Sequence, residues 1–136
     1  SKNIKNERTK MLELLANMIY IEHILTKEGI SMNNIKELYG EAIIDSRDSE
    51  ELNIGERIKL EYYKTISKLF ANGNRETYGI GIVKKYKDTK KEKIESREIN
   101  NILLEEKQTE KLLKILINNK VTPIALDDVL TDLIRA

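Results

Sequence analysis

Six lysines, Lys84, Lys85, Lys87, Lys90, Lys91 and Lys93, fall within ten residues and are opposed only by Asp88 and Glu92. Beside Tyr78 and Tyr86, such a run could track phosphates while the rings stack on bases, which is the chemistry of single-strand nucleic-acid contact. The same lysines also suit a plainer purpose, because charged side chains along a sheet edge keep it from pairing with other chains. A net charge of +1, from 24 Lys and Arg against 23 Asp and Glu, gives no chain-wide attraction to nucleic acid, so the plainer purpose weighs more.

The carboxylates Asp127, Asp128 and Asp132 form a second constellation, set against a single Arg135. Residues Glu110 to Ala136 have the outline of a helix-turn-helix, but a DNA-reading helix needs cations against phosphate and this one would present carboxylates. Asp128 and Asp132 stand at i and i+4, where two carboxylates share one helix face and could share one hard cation. Nothing in the sequence completes six oxygen ligands, so no metal site is assigned and the three residues read as an acidic, partner-facing or solvated face. His23 is the only histidine and has no Asp, Ser or metal-type partner near it, whereas a general base needs an oriented acceptor within hydrogen-bond reach. The phosphate-loop, zinc-protease and nucleophile-elbow motifs are absent, and Tyr78-Gly79-Ile80-Gly81 holds half of a dinucleotide fingerprint inside a strand, where it has no helix to open. The expectation is a chain with no catalytic residue and no cofactor.

The elements that must carry these residues follow from hydrophobic period. From Asn3 to Lys27, Met11, Leu14, Leu15, Met18, Ile21 and Leu25 recur at helical steps, and Glu28-Gly29 ends that helix. Ser31 can cap a second helix bearing Ile35, Leu38, Tyr39, Ala42 and Ile43, so residues 1–44 read as a helical hairpin. An acidic connector runs from Asp45 to Glu56, and residues 57–136 then read as a small α+β domain. Its first strand carries Ile58, Leu60, Tyr62 and Ile66 on one face, although Ile58, Tyr62, Ile66 and Leu69 also fit a helical period over Ile58 to Phe70. Asn72-Gly73-Asn74 supplies a hairpin turn, and a second strand follows with Tyr78, Ile80 and Ile82 on one face and Gly79 and Gly81 on the other. Glycines cost entropy in a strand, so they mark a close backbone approach, a bend, or cover by an aromatic neighbour such as Tyr63. A weaker third strand spans Ile94 to Ile99. Leu112, Leu113, Leu116 and Ile117 then stripe a helix closed by Asn118-Asn119, and Thr122-Pro123 starts a last helix with Ile124, Leu126, Val129, Leu130, Leu133 and Ile134. The expected fold is α+β: an N-terminal helical hairpin, a three-stranded antiparallel meander, and two C-terminal helices packed on the sheet.

At 136 residues and 40% hydrophobic content the chain can build one ordinary core. Cysteine is absent, which removes disulfides, thiolate zinc sites and cysteine nucleophiles and suits a reducing compartment. No apolar run approaches the roughly 20 residues that span a bilayer, and the amino terminus lacks a signal-peptide apolar region, so the expected location is the cytoplasm with no membrane contact.

Tyr78-Gly79-Ile80-Gly81-Ile82-Val83, followed by Asn119-Lys120-Val121-Thr122-Pro123-Ile124-Ala125-Leu126-Asp127-Asp128-Val129 and then Asp132, resembles a clostridial family of small domains of unknown function. The resemblance rests on a YGI strand and a VTPI-x-L-x-D-V helix start and covers roughly Leu60 to Ile134. It implies fold boundaries and no activity. The functional expectation is a non-enzymatic protein-protein interaction or regulatory module. Its partner interface is the wide stripe Met11, Leu14, Leu15, Met18, Ile21 and Leu25, which could also pair two copies of the chain. Two other readings stay open: a nucleic-acid binder using the lysine-rich hairpin, and a small inhibitor or immunity protein from a mobile element.

Overall fold

The computed structural model describes residues 32–70 and 74–135. Four strands come first, β1 (Met32–Asp45), β2 (Arg57–Phe70), β3 (Asn74–Asp88) and β4 (Lys91–Leu103), followed by two helices, α1 (Glu106–Asn118) and α2 (Leu126–Arg135). The strands make one antiparallel sheet in the order β1-β2-β3-β4. Helix α1 packs against all four strands, and α2 adds Leu126 and Leu130 to the same core.

This corrects the expected architecture at its amino-terminal side, where a four-stranded meander replaces three strands and a helical hairpin. The first expected helix, Asn3 to Lys27, lies outside the described residues. The second is β1. Ile35, Leu38, Tyr39, Ala42 and Ile43 have helix-like spacing because a bulge between Leu38 and Gly40 inserts an extra residue into the strand. Before the bulge Ile35 and Glu37 share a face, and after it Gly40, Ala42 and Ile44 take that face over, so a period of two acquires a step of three. Gly40 also weakens any helix across this stretch by about 1 kcal/mol relative to alanine. The acidic stretch after Asp45 is therefore a hairpin connection between two paired strands, closed by Asp45↔Arg57.

The other strands follow their alternation. Residues 58–70 are strand, with Leu60 and Tyr62 fully buried beneath α1 and paired to Lys84 and Ile82. The turn expected at Asn72-Gly73 lies outside the described residues, and the flanking strands pair up to Phe70↔Asn74. Strand β4 is longer than Ile94 to Ile99, and it carries extra residues where Tyr78 pairs with Leu103 but Ile80 with Ile99. Thr89 and Lys90, both at positive φ (48° and 69°), turn the β3–β4 hairpin as its two central residues.

Helix α1 buries Leu112, Leu113 and Leu116 on the sheet. It ends in a left-handed residue, Lys120 (φ 47°), whose N–H donates to the Ile117 carbonyl, while Val121 N–H reaches back to Leu116. This is the Schellman stop, with lysine where glycine is usual and with buried Val121 and Leu116 as its apolar pair. The Tyr62 hydroxyl donates to the Val121 carbonyl at 2.9 Å and so ties the central strand to the turn between the helices. Thr122 and Pro123 form a turn ahead of α2, accepting from Ala125 and Leu126, and the helix itself starts at Leu126.

Candidate partner-binding face

The helices cover one face of the sheet, and the register defines the other as a lattice of rows. One row reads Leu38, Tyr63, Gly81, Glu98, the next Glu41, Glu61, Val83, Ser96, and the third Ile43, Lys59, Lys85, Ile94. Leu38, Ile43 and Ile94 are 52%, 41% and 62% exposed, so large apolar side chains stand open on both edge strands of this face. Charged side chains lie between them in pairs. Glu61 receives Lys85 at 3.1 Å, Lys59 at 3.7 Å and the Tyr63 hydroxyl at 3.2 Å. Burial alone would raise its pKa, but the hydrogen bond and charge of Lys85, helped by Tyr63 and Lys59, hold it below the usual carboxylate value. The Lys36 ammonium sits 4.4 Å from the centre of the Tyr63 ring and 3.9 Å from Glu98.

The two glycines of β3 have different reasons. Gly81 pairs directly with Tyr63, and a β-carbon there would meet its neighbours at an ordinary 3.7 Å. At Gly79 a β-carbon would collide with the Ile99 carbonyl oxygen and come within 2.7 Å of Asn100 Cα, because the irregular end of β4 crosses there. That end closes part of the open face: Thr77 donates to Asn101 at 2.6 Å, and the Thr65 and Ser67 hydroxyls are buried with no hydrogen-bond partner.

The structure divides the lysine run. Lys85 and Lys87 lie on the open face, whereas Lys84, Lys91 and Lys93 fall on the helix side and Lys90 at the hairpin tip. Lys84 is held by Glu95 at 3.7 Å and stacks 4.7 Å from the Tyr86 ring, whose hydroxyl donates to Glu95. Tyr78 is buried in the core with its hydroxyl on Glu76, and burial with that hydrogen bond pushes its pKa up to about 12. Neither ring stands free beside a row of cations.

The acidic set is likewise spread. Asp127 and Asp128 occupy the first turn of α2, where carboxylates complement the helix dipole, and Asp127 takes Arg97 through both oxygens at 3.2 and 3.3 Å. Asp132 is exposed and lines a cavity of about 630 Å³ with Lys120, Ala125, Val129 and Leu133. Among the described residues no group of three or more His, Cys, Asp and Glu could hold a metal ion. The stripe from Met11 to Leu25 and His23 lie outside the described residues.

Two features had no sequence signal. Lys64, buried on the helix side, is met by Glu37 at 3.6 Å, Glu106 at 3.4 Å and Glu110 at 3.8 Å, and clamps β1 and the start of α1 to β2. Burial opposes its charge, but the Glu106 contact and the other carboxylates raise its pKa above the ordinary value. The partners come from separate elements, so only the fold reveals the cluster. The second feature is a groove of about 690 Å³ between the β1–β2 connection and the β3–β4 hairpin. Apolar Ile43, Leu52 and Ile58 line it together with Arg57, Lys59, Lys85 and Lys87, against Glu56 and Glu92.

Among the described residues no helix is long and apolar enough to cross a membrane. Compared with known proteins, residues 41–136 match the model of a family described as "Family of unknown function (DUF6514)", which reaches further toward the amino terminus than Leu60 and takes in the last five residues of β1. No curated protein and no solved structure matches the chain.

Proposed function

We propose, for a chain that belongs to the family of unknown function DUF6514, that it acts as a non-enzymatic protein-protein interaction or regulatory module in the cytoplasm. The observation that carries this is the open sheet face, where Leu38, Ile43 and Ile94 stand exposed among paired charges. Exposed large apolar side chains set among charged ones have the composition of a protein contact, in which apolar anchors are desolvated and flanking charges set specificity. Self-association is included in the proposal, with the stripe Met11, Leu14, Leu15, Met18, Ile21 and Leu25 as a further contact between copies. The YGI strand and VTPI helix start are proposed as features shared by the family's clostridial members, since Gly79 and the Val121 to Ala125 turn both answer to packing constraints.

The test is capture from the source cell's extract with the intact chain and with a Leu38→Glu, Ile94→Glu variant. One dominant partner should be retained by the first and lost by the second, and equal capture by both would remove the open face as the contact. Sedimentation as a monomer at micromolar concentration, unchanged by Met18→Glu, would remove self-association.

A further inference from the structure

We infer that the groove between the β1–β2 connection and the β3–β4 hairpin takes an extended acidic peptide with apolar side chains. The inference rests on the interaction reading above and names the place and the partner chemistry. Like charges directly opposite on neighbouring strands are destabilising. This groove holds one such pair and continues it: Lys59 is paired to Lys85, and Arg57 and Lys87 lie just beyond the last paired residues of the same two strands. The first set is neutralised from within the chain, by Glu61 at 3.1 and 3.7 Å and by Glu41 at 3.6 Å from Lys59.

The second set is less fully relieved: Glu92 stands opposite Lys87 across β3 and β4, but no ion pair joins the two. Asp45, the cross-strand partner of Arg57, is held by Arg47 at 2.9 Å, and that hydrogen bond lowers its pKa to about 2. Glu56 is engaged with Asn53. Among the described residues neither Arg57 nor Lys87 forms an ion pair. A carboxylate brought by a partner would do for Arg57 and Lys87 what Glu61 does for Lys59 and Lys85.

The rest of the groove selects a peptide over a nucleic acid. Its volume of about 690 Å³ suits a few side chains, and Ile43, Leu52 and Ile58 offer apolar contact that phosphates do not use. Ile54, on the same connection, is 98% exposed and available as a further apolar contact. The cations are flanked by Glu61 and Glu92, and Tyr86, the aromatic side chain lining the groove, has Lys84 over its ring and its hydroxyl on Glu95.

The experiment uses the full chain and a fluorescent decapeptide of alternating glutamate and leucine, followed by anisotropy. Binding should weaken roughly tenfold or more in Arg57→Glu with Lys87→Glu, since both substitutions replace attraction by repulsion, and less in Lys87→Gln alone. Lys90→Glu at the hairpin tip should leave it within about twofold. A glutamate-serine peptide of equal length should bind at least several-fold more weakly. The inference is overturned if that peptide or an oligothymidine binds as tightly, or if the charge-reversed chain, still folded by far-ultraviolet circular dichroism, binds unchanged. Loss of probe binding alone, with partner capture still sensitive to Leu38→Glu and Ile94→Glu, would remove the groove and leave the open-face reading in place.

Discussion

The two faces of one sheet are built from alternate residues of the same four strands, yet they have opposite chemistry. Under α1, Leu60, Tyr62, Ile80 and Ile82 are fully buried, and the one charged side chain at the centre, Lys64, is met by three carboxylates. On the other face cross-strand pairs mix leucine, isoleucine, lysine and glutamate, and their ion pairs are mostly half exposed. The contrast shows where stability resides: apolar area removed from water holds the molecule together, while exposed charge pairs add little each and leave that face open to a partner.

The sharpest break in that contrast comes from truncating one leucine on each side. Leu116→Ala, at 0% exposure, should cost about 2–5 kcal/mol in urea unfolding, whereas Leu38→Ala, at 52% exposure, should stay within about 0.5 kcal/mol. Equal losses would mean the open face is packed as firmly as the covered one. A finer division lies within the open face. Gly79→Ala must push against the Ile99 and Asn100 backbone and should cost about 1–3 kcal/mol, while Gly81→Ala has room and should cost under about 1 kcal/mol. Thermal melts of the two variants decide it, and a harmless Gly79→Ala would show that the end of β4 does not close this region.

An effect smaller than that of Gly79→Ala tests the tie between the covered face and the helices. Tyr62→Phe removes the hydrogen bond to Val121 and should cost about 1–2 kcal/mol, since a buried carbonyl loses its donor. Burial raises the Tyr62 pKa well above 10, so the stability gained by keeping it neutral is fully present below pH 10 and is lost as pH rises beyond that toward the folded value. Unfolding followed from pH 9 upward should therefore weaken less steeply in Tyr62→Phe, and parallel curves would show that Tyr62 does not govern the alkaline limit.

Local period made much of this fold legible. Leu60, Tyr62 and Ile66, then Tyr78, Ile80 and Ile82, alternate without interruption and form the expected faces, and the stripe of Leu112, Leu113 and Leu116 makes the expected helix. Strand β1 was illegible because its bulge gives a strand the spacing of a helix. The lysine run marked a hairpin correctly but could not reveal how its charges divide, since that depends on the two-residue turn at Thr89 and Lys90 and on carboxylates at Glu61 and Glu95. The groove was hidden for the same reason, its walls being a connection and a hairpin joined only by strand register.

The sequence by itself determined the alternation of β2 and β3, Gly79 as a place of close approach, and two apolar-striped helices at the carboxy-terminal side. These depend on neighbours within a few residues, where backbone geometry maps spacing onto faces. Only the tertiary structure decided that β1 is a strand, that Lys64 is buried among Glu37, Glu106 and Glu110, and that Arg57 and Lys87 come together in one groove. Each of those depends on register between distant segments, and charge and packing energies are set by which side chains end up a few ångströms apart.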